Sequence, residues 1–82
     1  MESDLSTYLR LARQATTRPE RDYFVECAKS VLRKNGVDIS WVHEDPNIAL
    51  EELEKGRIGY AATGKDVYGP YAYLFEQIEP LL

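Results

Sequence analysis

Apolar residues recur at helical spacing in the first third of the chain and in a shorter alternation further on. Leu5, Tyr8, Leu9 and Ala12 form one stripe, which predicts a helix from about Asp4 to Ala15, with Leu11 beside it. Ser3 or Asp4 suits its start, and Arg10 and Arg13 lie toward the end where positive charge complements the helix dipole. Thr17-Arg18-Pro19-Glu20 fits a capping box and opens a second helix that Asn35-Gly36 closes. Phe24, Cys27, Ala28, Val31 and Leu32 share a broad inward arc there, and Asp22, Glu26, Lys29 and Arg33 are expected on its solvent side.

The period then changes. Val37, Ile39 and Trp41 alternate with Asp38 and Ser40, a strand pattern. Asp45-Pro46 starts a short third helix, expected to end at Gly56, with Ala49, Leu50 and Leu53 inward and Glu51, Glu52 and Glu54 outward. Arg57 to Thr63 alternates again and reads as a second strand. The connection is long enough for a parallel crossover. After Gly64-Lys65-Asp66 a last helix is expected near Gly69-Pro70, with Tyr71, Leu74, Phe75, Ile78 and Leu82 inward. These elements describe a small α+β single domain over residues 1–82. Its order is helix-helix-strand-helix-strand-helix, with a two-stranded sheet covered by helices. A sheet of two strands is marginal alone, so its open edge leaves room for a second chain.

Composition narrows the function classes. The chain has 82 residues, and its balance of 44% hydrophobic and 29% charged residues is that of a globular domain. No apolar run reaches the roughly 20 residues of a membrane span, and the acidic N-terminus lacks a secretory h-region. A single cysteine excludes an internal disulfide framework. These features point to the cytoplasm. Charge is divided along the chain: residues 1–35 carry seven Lys/Arg and five Asp/Glu, whereas residues 36–82 carry three and nine. The second part, at −6, is unsuited to nucleic acid and suited to steering toward a basic surface.

Candidate chemistry is sparse. Cys27 falls in an apolar arc and reads as a small hydrophobe rather than a nucleophile. His43 has no second histidine or cysteine near it for a metal, and the glutamates of the third helix read as its wet face, with Glu51–Lys55 a stabilising pair. No catalytic residue, metal site or cofactor is expected. The basic residues of 4–35 raise a helix-turn-helix alternative in which a nucleic-acid-binding regulator uses the first two helices. Arg18-Pro19-Glu20-Arg21-Asp22, however, places two acids where a recognition helix meets DNA.

Residues 49–67, ALEELEKGRIGYAATGKDV, resemble the helix–strand–loop of bilobal periplasmic-type ligand-binding folds and of ATP phosphoribosyltransferase. Thr63, Gly64 and Asp66 match the Thr-Gly-x-Asp loop that contacts a phosphate or small ligand in those families. Gly59 stands where they carry an early acidic residue. The resemblance implies a helix ending in glycine, a strand after it, and small-ligand or anion binding at the Gly64 loop.

Tyrosine is the stronger signal. Four of the six tyrosines, Tyr60, Tyr68, Tyr71 and Tyr73, lie between positions 60 and 73. Tyr68 and Tyr73 fall off the predicted apolar arcs, and tyrosine suits interface hot spots. The reading that follows is a non-enzymatic protein–protein interaction module, of the character of a small acidic inhibitor, an immunity protein or a nucleic-acid mimic. Its partner-binding surface comprises Tyr68, Tyr73, Glu44, Asp45, Glu51, Glu52 and Glu54, and its partner is a protein with a basic surface.

Overall fold

The computed structural model describes the backbone of residues 2–40, 42–63 and 76–82, and side chains throughout these except at 56–63. Three α-helices dominate it: α1 (Asp4–Gln14), α2 (Arg18–Lys34) and α3 (Pro46–Thr63). Residues 76–78 are helical and run into a 3-10 turn at Glu79–Leu81.

The first two helices begin and end where their local chemistry dictates. Ser3 caps α1, its Oγ accepting the Ser6 N–H at 3.1 Å, and Thr17 caps α2, its Oγ1 accepting the Glu20 N–H at 3.3 Å. The end of α2 is a Schellman motif. Gly36 takes a left-handed φ of 76°, its N–H donates to the Arg33 carbonyl, and the Val37 N–H reaches back to the Leu32 carbonyl at 3.0 Å. Val37 and Leu32 are both buried, which supplies the hydrophobic contact this motif carries.

α1 and α2 form an antiparallel hairpin. Leu5, Leu9 and Ala12 of α1 meet Val25, Ala28 and Leu32 of α2, and Ala49 and Leu53 of α3 and Ile78 complete the core with Val37. Arg21 joins three elements at one end. Its guanidinium donates to the Ala12 and Ala15 carbonyls at the end of α1, at 3.3 and 2.9 Å, and to Asn47 Oδ1 in the first turn of α3 at 2.6 Å. The carbonyls left open by a terminating helix thus find a charged donor.

Several expectations require correction. No strand is present among the described residues, so the fold there is helical rather than α+β, and no sheet edge exists there for a second chain to extend. The stretch after α2 keeps the alternation expected of a strand: Val37 is buried and Ile39 half-buried, while Asp38 and Ser40 are exposed. It lacks the pairing. Asp38 Oδ1 accepts the Ser40 N–H at 2.9 Å and the Val42 N–H donates to the Ile39 carbonyl at 3.0 Å, so the backbone turns twice instead of extending. Trp41 lies outside the described residues.

The expected second strand is the last part of α3, which continues through Gly56 and Gly59 to Thr63. This also removes the strand on which the resemblance of residues 49–67 depends, and the Gly64 loop itself lies outside the described residues. Helix α2 is rotated from the expected arc. Val25 is fully buried, Cys27 only half-buried, and Lys29, expected in solvent, is buried with its ammonium held by Glu26 at 3.3 Å. The lysine stem lies along the core while its head reaches a carboxylate. At the C-terminus Ile78 is inward as expected. The 3-10 turn at Pro80 changes the pitch, so that Leu81 packs on the core and Leu82 is exposed. Tyr71, Leu74 and Phe75 lie outside the described residues.

Candidate functional site: the acidic face of α3

Asp45 is the residue that starts α3. Its Oδ1 accepts the N–H groups of Asn47 at 2.8 Å and Ile48 at 3.4 Å, and its Oδ2 meets the Arg18 guanidinium at 2.9 Å. The Asn47 N–H foremost, then the Ile48 N–H and the positive charge of Arg18, hold its carboxyl below the usual aspartate range. Asp45 therefore caps a helix and ties α2 to α3.

The preceding loop is fastened to the same helix. The His43 N–H donates to Glu52 Oε1 at 2.9 Å, and His43 Nδ1 accepts the Asp45 N–H at 2.9 Å.

The remaining candidates divide into two groups. Glu54 is mostly covered and makes a 2.7 Å ion pair with Arg13, linking α3 to α1. Glu52 is half-buried and occupied with His43. Glu44 and Glu51 are exposed, and Glu51 forms the expected pair with Lys55, at 3.4 Å on an open surface. Tyr68 and Tyr73 lie outside the described residues. Of the five acids anticipated, the structure thus uses three for contacts with other segments and leaves Glu44 and Glu51 facing solvent.

Ile48, which sequence reasoning missed, stands between those two. It is 43% exposed, among the few large hydrophobic side chains of the described residues that face water, with Tyr23 at 65%. On α3, Ile48, Glu51 and Lys55 follow at helical spacing, and Glu44 lies in the loop just before the helix, so Ile48 has an exposed acid on either side of it along the chain. The signal was present in the sequence: Ile48 falls outside the arc of Ala49 and Leu53, both fully buried.

The alternative sites are less complete. Most basic residues of α1 and α2 are engaged within the chain: Arg10 with Glu2, Arg13 with Glu54, Arg18 with Asp45, Arg21 as described, and Lys29 and Arg33 with Glu26. Cys27 borders a cleft of about 250 Å³ between α1 and α2, together with Asp4, Tyr8, Val31 and Lys34. Among the described residues no three His, Cys, Asp or Glu side chains converge as a metal site, and no helix is long and apolar enough to cross a membrane. No protein-family model, curated protein or solved structure matches the chain.

Proposed function

We propose that the chain is a non-enzymatic interaction module of the cytoplasm that binds a protein with a basic surface through the outward face of α3. The carrying observation is the exposed Ile48 between the exposed Glu44 and Glu51. An apolar centre with a charged rim is the composition of a protein interface, in which rim charges steer encounter and a buried anchor slows dissociation. The −6 charge of residues 36–82 supports the same polarity of partner. Tyr68 and Tyr73 are the aromatic residues proposed to extend this surface. An inhibitor, an immunity protein or a nucleic-acid mimic would each use such a face. The nucleic-acid alternative is weakened by the internal pairing of the arginines, since a side chain bound to a carboxylate is not free for phosphate.

The test compares the wild-type chain with the Glu44→Lys/Glu51→Lys double variant in affinity capture from nuclease-treated lysate, at about 50 and about 300 mM salt. Both chains should have the same circular dichroism, because exposed acids contribute little to stability. A protein retained by the wild type at low salt and lost by the double variant is the expected result. Unchanged capture by the double variant, or capture abolished instead by changes at Arg33 and Lys34, would refute the acidic face and direct attention to α2.

A further inference from the structure

We draw no further inference here: the strongest candidate, the cleft of about 250 Å³ that Tyr8, Cys27, Ser30 and Lys34 line between the start of α1 and the end of α2, rests on a lone cysteine beside an open polar rim, and nothing in the structure shows what fills or covers it.

Discussion

Leu53 and Ile48 lie on the same helix, five residues apart, which places them about 140° from one another around its axis. Leu53 is fully buried against α1 and α2, whereas Ile48 is 43% exposed. Truncating each to alanine should therefore give very different costs. Leu53→Ala removes three buried carbons, about 2.4 kcal/mol at roughly 0.8 kcal/mol per carbon. The cavity it leaves brings the loss to about 2–5 kcal/mol. A chain of this length has on the order of 4–12 kcal/mol of total stability, so the variant should lose a large share of it. Its melting temperature should fall by roughly 8–40 °C, taking about 4–8 °C per kcal/mol for so small a domain. Ile48→Ala should change stability by no more than about 0.5 kcal/mol.

Thermal unfolding followed by far-ultraviolet circular dichroism reads both values. If Ile48→Ala proves as costly as Leu53→Ala, α3 is turned about its axis and the face proposed for binding is packed inside. The two variants also separate fold from function, since Ile48→Ala should weaken partner capture while leaving the melting curve in place.

Three further outcomes follow from the backbone and the charges. Gly36→Ala should lower stability by about 1 kcal/mol through backbone strain alone, because φ is +76° and an added Cβ meets nothing within 4 Å. Gly56→Ala should instead raise it by up to about 1 kcal/mol, since α3 continues through that position. Urea midpoints at constant m resolve the two signs, and a loss at both positions would argue against a helix through Gly56. Arg21→Lys, which cannot span the carbonyls of α1 and Asn47 together, should cost about 1–2 kcal/mol in the same assay. An unchanged midpoint would mean that those bonds do not hold α1 to α3.

Asp45 adds a pH dependence. Because its carboxyl is held below the usual range, its contribution is complete above about pH 4 and is lost as pH falls through the lowered folded-state value. Asp45→Asn keeps a capping oxygen but cannot titrate. Its acid-unfolding curve should therefore be shallower than that of the wild type, and parallel curves would exclude Asp45 as a source of acid sensitivity.

The parts of the fold legible in the sequence were those set by contacts within a few residues. Ser3, Thr17 and Gly36 act through hydrogen bonds that span three to five positions, so their chemistry marks the ends of α1 and α2 directly. Ala49, Leu53 and Glu51 were likewise placed correctly, because a helix that starts at Asp45-Pro46 fixes the phase of the residues that follow. The readings that failed asked a local pattern to report a distant partner. Val37 to Ser40 alternates in burial as a strand does, yet whether alternation becomes a strand depends on a second chain segment lying alongside, and two turns take up its backbone instead.

The same reasoning explains α3. Gly56 and Gly59 read as breakers, and Ile58, Tyr60 and Ala62 alternate, but each glycine costs a helix only about 1 kcal/mol. A two-stranded sheet would have had to find a neighbour for every one of its edge hydrogen bonds, whereas a helix satisfies its own. With the first strand absent, the second had nothing to pair with among the described residues, and continuing the helix was the remaining way to bond its backbone. The acidic residues follow a parallel logic. Charge and spacing placed Glu51 on the surface, but they could not reveal that Arg13 reaches Glu54 from another helix or that Arg18 claims Asp45. The ion pairs of Arg13 with Glu54 and Arg18 with Asp45, together with the His43 N–H bond to Glu52, thus reduce the acidic face from five carboxylates to Glu44 and Glu51, and a partner that needs all five should bind this chain more tightly once Arg13 and Arg18 are neutralised than it does with them in place.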